Sequence, residues 1–204
     1  MKPAHSTPYH LTLADFTIPF VSFGVLLGVA LMAPETQMDP GMYRTIYTIW
    51  VTAALVTPAL CAFALPGDSD RIRNTWLLFW TFSFIAYLVH AGYAVFSVYH
   101  GSLQEFLTGQ GTFAAINNVI FTLWWALDVG LAWFYHADRR WLRIERVAGH
   151  IYIGLTFIAS TVFLKHGFIN VIGIILTASV VICLCMRFDA KRSIQAKGSA
   201  VNAR

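Results

Sequence analysis

The sequence predicts an all-α, polytopic integral membrane protein with six transmembrane helices in one bundle and both termini in the cytoplasm. Composition, the lengths of the apolar runs and the placement of basic residues predict this fold class. Of the 204 residues, 57% are hydrophobic and only 12% are charged, and the mean hydropathy is +0.62. Soluble domains carry about 25% charged residues. We therefore expect a lipid bilayer to be the solvent for most of this chain.

Six apolar runs are bounded by charged residues, proline or glycine. They cover Phe16–Ala33, Arg44–Pro66, Thr75–Tyr99, Thr112–His136, Val147–Leu164 and Phe168–Met186. Most reach the ~17–25 residues that a membrane-spanning helix needs. The weakest boundary is the tight turn at 165–167. We divide the chain into an N-terminal segment, 1–15, a transmembrane domain, 16–186, and a basic tail, 187–204, with the first run kept as a span rather than cleaved.

The basic residues predict the orientation of the spans. If the N-terminus is cytoplasmic, twelve of the fourteen Lys and Arg residues fall on the inner side, and only Arg44 and Lys165 fall outside. Cytoplasmic connections of membrane proteins carry such an excess. The chain should therefore lie in the inner or plasma membrane, where its basic segments can touch anionic lipid. The positive net charge needs no nucleic-acid partner.

Polar side chains within the predicted spans mark a candidate ligand site, because polar groups are costly in lipid and are often functional there. On the third run, Tyr87 and His90 share one helical face, and on the fourth run Asn117, Trp124 and Asp128 do so. We expect the two faces to meet in the interior and predict these five residues to bind a ligand. Helical rise places His90 near the depth of Asn117, with Asp128 roughly 16 Å further in. The polar groups should thus form an upper and a lower cluster.

The chemistry of these groups leaves structural and functional interpretations open. We expect a neutral His90, because burial disfavours the charged imidazole, and a structural hydrogen bond to Asn117 would explain it. Asp128 is harder to explain structurally, since an ionised carboxyl group is costly at that depth. It could be protonated, hydrogen-bonded to Thr or Ser, or paired with an arginine of residues 139–146.

These residues favour a protein that binds or translocates a small ligand between the third and fourth spans. The alternative is a non-catalytic accessory subunit of a larger membrane complex, for which the pair Gly24 and Gly28 offers a surface for another helix. An enzymatic role is less favoured, because the chain carries no phosphate-binding loop, dinucleotide-binding motif or zinc-protease motif.

Cofactor binding is left open by the sequence. Two residues of the connection at 100–111, His100 and Glu105, are weak candidate metal ligands, without the helical spacing of a metal site. A b-type haem would need facing histidines. Because His90 and His150 differ in depth, the remaining haem-ligand pairs are His136 with His150 and His90 with His166.

Overall fold

The computed structural model describes residues 9–33, 39–67, 69–135, 137, 139–164 and 166–202, which contain seven α-helices and no strand. The α-helices are α1 (Leu13–Met32), α2 (Pro40–Ala64), α3 (Asp70–Gly92), α4 (Leu103–Gln110), α5 (Thr112–Phe134), α6 (Arg140–Ile158) and α7 (Phe168–Asn202). π-Helical turns extend α3 over Tyr93–Val98 and α6 over Ala159–Leu164. All these helices except the short α4 are long and apolar enough to span a membrane. The prediction of six candidate spans is confirmed.

Side-chain caps explain where several helices begin. Thr12 and Asp15 form a capping box at the start of α1, in which each side chain accepts a backbone N–H from the other residue. The Asp39 carboxylate accepts two N–H groups at the start of α2, and the Ser69 hydroxyl oxygen accepts the Ile72 N–H at the start of α3. Such caps satisfy N–H groups that have no partner within the helix.

Several helix boundaries differ from the sequence-based expectation, and the first three spans begin three to five residues before their predicted apolar runs. The fifth span begins at Arg140 rather than Val147, because its first two turns are charged and an apolar-run criterion leaves them out. The connection at 100–111 contains α4. The last helix continues past Met186 into the basic tail. Neither Pro19 nor Pro58 ends its helix.

Helix α2 lies at the centre of the packing. It contacts α1, α3, α6 and α7, while α5 packs against both α3 and α6. The largest side chains without solvent exposure include Trp80 on α3 and Trp125 on α5. Many large apolar side chains on the outer helix faces are exposed, as with Phe113 and Leu123 on α5. Such faces suit contact with lipid.

The tight connection between α6 and α7 depends on Asn170 and Gly173. The Asn170 side-chain Nδ2 donates to the carbonyl oxygens of Thr161 and Val162, at 3.3 and 2.9 Å. These carbonyls lie in the π-helical turn at the end of α6, so Asn170 supplies hydrogen bonds to the end of the preceding helix. A Cβ atom at Gly173 would lie 2.7 Å from the Thr161 Cβ. Glycine therefore permits this close approach of the two helices.

Replacing Gly173 with alanine should destabilise the protein by about 1–3 kcal/mol, because the added methyl group overfills this contact. Gly28→Ala on α1 is the matched control, since a Cβ there meets no atom within 4 Å. Alanine is the better helix former by up to about 1 kcal/mol, so the control should be neutral or stabilising. Detergent unfolding of both variants measures the difference. Equal effects would show that the α6–α7 contact is not tight.

Candidate functional site

Asp128, one of the predicted ligand-binding residues, is completely buried on α5. Its Oδ2 accepts a hydrogen bond from Trp80 Nε1 on α3 at 2.7 Å. Its Oδ1 accepts one from Arg146 Nε on α6 at 3.4 Å. The side chain of Arg146 is 22% exposed and that of Asp128 is 1% exposed. Of the three alternatives that the sequence left open for Asp128, the structure therefore shows the pair with an arginine of residues 139–146. Together with the bond from Trp80, this pair joins three helices at one buried carboxylate.

His150 lies beside this ion pair, and neighbouring groups contact both of its ring nitrogens and both faces of its ring. Its Nε2 accepts a hydrogen bond from Trp76 Nε1 at 2.7 Å, and its Nδ1 lies 2.7 Å from the Arg146 carbonyl oxygen. An indole N–H only donates and a carbonyl only accepts, so the proton is on Nδ1 and the imidazole is neutral. The rings of Phe63 and Trp80 stack on the imidazole, with centroids 4.0 Å away in each case. His150 thus connects α2, α3 and α6.

Three indole N–H groups point at titratable side chains in this region. Trp76 and Trp80 on α3 bond the two acceptors just described, and Trp124 Nε1 on α5 donates to Glu145 Oε1 on α6 at 3.0 Å. Gly149 allows Trp124 to approach α6, because a Cβ there would lie 3.2 Å from the indole nitrogen. We call this set of side chains the polar cluster. Its members are Trp76, Trp80, Trp124, Asp128, Glu145, Arg146 and His150.

The segment before α1 is fixed beside the start of α3 by Asn74. The Asn74 Nδ2 donates to the His10 carbonyl oxygen at 3.0 Å and to Asp15 Oδ2 at 3.1 Å. The Asn74 side chain is buried. These bonds hold residues 9–12 at the end of the protein where α1, α3 and α6 begin.

Tyr9 covers the polar cluster at this end. Its ring centroid lies 6.5 Å from that of Trp76, and the Arg73 guanidinium lies 5.0 Å from the Tyr9 centroid. Burial raises the pKa of the Tyr9 hydroxyl above its ordinary value, although the charges of Arg146 and Arg73 oppose this shift. Tyr9 therefore remains a neutral cover over the arginine of the ion pair at physiological pH.

The predicted upper cluster is divided between different helices. His90 is half-buried, and its Nδ1 lies 2.8 Å from the Thr45 carbonyl oxygen on α2. The Asn117 Oδ1 accepts a hydrogen bond from the Tyr152 hydroxyl on α6 at 2.7 Å. The Thr45 carbonyl oxygen can only accept, so His90 Nδ1 donates to it. These bonds tie His90 to α2 and Asn117 to α6, whereas the sequence predicted a bond between the two side chains.

Aromatic rings fill the interior between α3 and α5. The Tyr87 hydroxyl on α3 is 2.9 Å from the Thr122 Oγ1 on α5. The Tyr87 ring also packs against Phe121 and Trp125, and Trp125 packs against Trp80. The polar faces of α3 and α5 thus meet as predicted, but large aromatic side chains occupy most of their contact.

The two weak metal candidates lie at the surface. His100 Nδ1 is 3.1 Å from Glu105 Oε2, and the two side chains are 75% and 55% exposed. Among the residues that the structure describes, no group of three or more His, Cys, Asp or Glu side chains could hold a metal ion. The pair therefore gains no third ligand from the described part of the fold.

Five members of the polar cluster were not predicted as site residues: Trp76, Trp80, Glu145, Arg146 and His150. Their signal was present as helical spacing, because Trp76 and Trp80, like Arg146 and His150, are four residues apart. Starting the fifth span at Val147 left Glu145 and Arg146 outside the membrane. Only the packing of α6 against α5 brings Glu145 to Trp124 and Arg146 to Asp128.

The cluster can offer a ligand a positively charged guanidinium group, carboxyl groups and neutral hydrogen-bonding groups, all within an apolar surrounding. Arg146 and Glu145 are partly exposed, while Asp128 and His150 behind them are buried. Comparison with protein-family models, curated proteins and solved structures finds no match for this chain.

Proposed function

We propose that this chain is a multi-pass membrane protein that binds a small ligand in the interior enclosed by α3, α5 and α6. The ion pair of Asp128 and Arg146 is its polar anchor. Of the five predicted ligand-binding residues, Asp128 and Trp124 belong to this site, and Tyr87 lines the aromatic interior above it. His90 and Asn117 serve mainly to join helices.

The complete burial of Asp128 is the observation that carries this proposal. An ionised carboxyl group costs about 2.5–3.5 kcal/mol at the centre of a membrane span, even on the more lenient scales. Asp128 lies six residues before the end of α5, where a buried charge is still unfavourable. A buried ion pair is often no more stable than apolar side chains of the same volume. Stability alone therefore does not explain a charged group at this position. A ligand that uses the pair does.

The filled interior argues against passage between α3 and α5, and a ligand that binds there has to move these rings apart. Trp80, which donates to Asp128, and Trp125, which packs against Trp80, have no exposed surface. Ligand sites in proteins are mostly apolar and contain a few polar groups that fix orientation. The polar cluster and the rings above it have this composition.

Native mass spectrometry of the gently solubilised protein tests the proposal. We expect the wild-type protein to carry a bound small molecule, and Asp128→Asn to lose most of it while remaining folded. Asn keeps the shape of the side chain but removes the charge that orients Arg146.

Asp70→Asn is the matched control for that experiment. It makes the same chemical change at a side chain that is 69% exposed and pairs with Arg73. The control should retain the bound mass. If Asp128→Asn and Asp70→Asn carry the same amount of ligand as the wild-type protein, the ion pair does not anchor it.

We also propose that the helices form one bundle in a cell membrane with both termini cytoplasmic. The distribution of basic residues supports this orientation. A C-terminal green fluorescent protein fusion should fluoresce in bacteria, whereas a C-terminal alkaline phosphatase fusion should be inactive. The reverse result would contradict the orientation.

The accessory-subunit alternative is favoured by one observation on α1. A Cβ atom added at Gly24 or Gly28 would meet nothing within 4 Å, so this small-residue face is uncovered. Close helix contact in membranes uses such faces. In native mass spectra, a second polypeptide that is lost in Gly28→Leu would favour this alternative.

The haem alternative receives no support from His150. Both of its imidazole nitrogens are hydrogen-bonded and both ring faces are covered. A haem ligand needs a free imidazole nitrogen. The other residue of that pair, His136, lies outside the described residues. A Soret band in the purified protein would reverse this conclusion.

A further inference from the structure

Trp125 has a buried hydrogen-bond donor with no acceptor among the described residues. The residue has no solvent exposure, and its indole Nε1 makes no hydrogen bond there. Leaving such a group unpaired is unfavourable, so buried polar groups are nearly always bonded. Three of the side chains that pack against the Trp125 ring are phenylalanines, at positions 84, 121 and 157. An indole at 125 therefore adds an N–H that the packing does not need.

The rings around Trp125 give this N–H no conventional acceptor. Its ring neighbours are Trp80, Phe84, Tyr87, Phe121 and Phe157, with centroids 4.9–6.1 Å away. Of these, Tyr87 has a hydroxyl group, which is paired with Thr122. The rings of Phe121 and Phe157 are nearly perpendicular to the indole, so they offer at most a weak contact through a π face.

A lone water molecule fits this surrounding poorly. Buried waters usually make two to four hydrogen bonds to protein groups. Among the aromatic neighbours of Trp125, only the Tyr87 hydroxyl could add a bond to that from the indole, and this hydroxyl is already paired with Thr122. An acceptor atom carried on an apolar molecule does not have this requirement, because its remaining surface packs against the rings.

We propose that the Trp125 N–H donates a hydrogen bond to the carbonyl oxygen of an uncharged, lipid-soluble ring compound, such as a quinone. The inference rests on the proposed function, and it adds the chemical class of the ligand. A flat ring suits the aromatic walls, because offset or edge-to-face ring contacts are favourable. A single carbonyl oxygen satisfies the indole without bringing another charge into the interior.

The position of Trp125 connects this donor to the rest of the site. Trp125 lies three residues before Asp128 on α5, and its ring contacts Trp80, whose N–H bonds the Asp128 carboxylate. The Trp125 ring also packs against Tyr87, whose hydroxyl bonds Thr122. A ligand held at Trp125 would therefore lie beside Trp80 and Tyr87, and these buried rings have to move apart to admit it.

Two probes that differ only in their carbonyl groups test this proposal. Duroquinone and durene have the same tetramethyl six-membered ring, and only duroquinone has carbonyl oxygens. Equilibrium dialysis of protein-containing micelles against empty micelles gives each affinity. We expect duroquinone to bind the wild-type protein saturably and about five- to tenfold more tightly than durene, as one net hydrogen bond provides. In Trp125→Phe this preference should disappear.

Trp133→Phe is the matched control. It removes an indole N–H from the same helix, one that donates to Thr81 Oγ1 at 2.9 Å, and it should keep the preference for duroquinone. Equal affinity of the two probes for the wild-type protein would overturn the proposal, even if Trp125→Phe did not fold. A preference that survives in Trp125→Phe would overturn it as well.

These outcomes are distinct from those of the native mass experiment. A bound mass that depends on Asp128, together with equal probe affinities, would leave the proposed function standing and remove the ligand class. Loss of the duroquinone preference in Trp125→Phe, with no effect of Asp128→Asn on the bound mass, would support the ligand class and remove Asp128 as the anchor of the proposed function.

Discussion

Replacing Asp128 with alanine should lower the free energy of unfolding by about 3–5 kcal/mol, the usual loss when one member of a buried ion pair is removed. The substitution leaves the Trp80 N–H without its acceptor and Arg146 without its counter-charge. Titration of the protein in mixed micelles with sodium dodecyl sulfate measures the change.

Asp128→Asn separates the two contributions. The amide oxygen can still accept from Trp80, so this variant should lose less stability than the alanine variant. A loss below about 1 kcal/mol in Asp128→Ala, the size expected of an exposed pair, would contradict the buried geometry described for this carboxylate.

Replacing His150 with alanine should have an effect of similar size, about 3–5 kcal/mol, for a different reason. The substitution removes a ring packed between Phe63 and Trp80, which leaves a cavity. It also leaves the Trp76 N–H without an acceptor. The same unfolding titration measures this loss.

His150→Phe tests the two parts of that prediction. Phenylalanine keeps a ring between the stacked neighbours and loses only the acceptor, so we expect a smaller loss of about 1–3 kcal/mol. Equal losses in the two variants would show that the stacking contributes nothing. A phenylalanine variant as stable as the wild-type protein would show the same for the hydrogen bond.

The membrane-spanning helices could be predicted from sequence because length and hydropathy determine them. Segments such as Thr112–His136 and Phe168–Met186 match α5 and the apolar part of α7 closely. The start of α6 could not be predicted in this way, because Arg140, Arg143 and Arg146 carry charge near the membrane surface. Long arginine side chains extend to water from an otherwise apolar helix end, so charge alone is a poor sign of where a spanning helix begins.

The candidate site was predicted in part. Helical phase placed Asp128 on the interior face of its span, and an arginine of residues 139–146 was among its expected partners. The pairing of His90 with Asn117 was inferred from depth alone. Depth does not determine which helices are neighbours, and the structure bonds these residues to α2 and α6.

His150 shows what spacing within one helix cannot reveal. Its acceptor nitrogen is satisfied by Trp76, which is 74 positions away in the sequence. Its stacking partner Phe63 lies on yet another helix. Only the packing of α2, α3 and α6 brings these three rings together, so a buried, fully bonded histidine cannot be distinguished from a haem ligand in the sequence.

The central claim is that the ion pair of Asp128 and Arg146 exists for ligand binding rather than for stability, and the double variant Asp128→Leu/Arg146→Met tests it most directly. Apolar replacement of a buried ion pair is often neutral or stabilising, so the unfolding free energy should fall only by about 1–3 kcal/mol, the loss expected when the Trp80 N–H loses its acceptor. Native mass spectrometry of the same sample should show that the bound small molecule is lost. A stable double variant that still carries the ligand would contradict the claim.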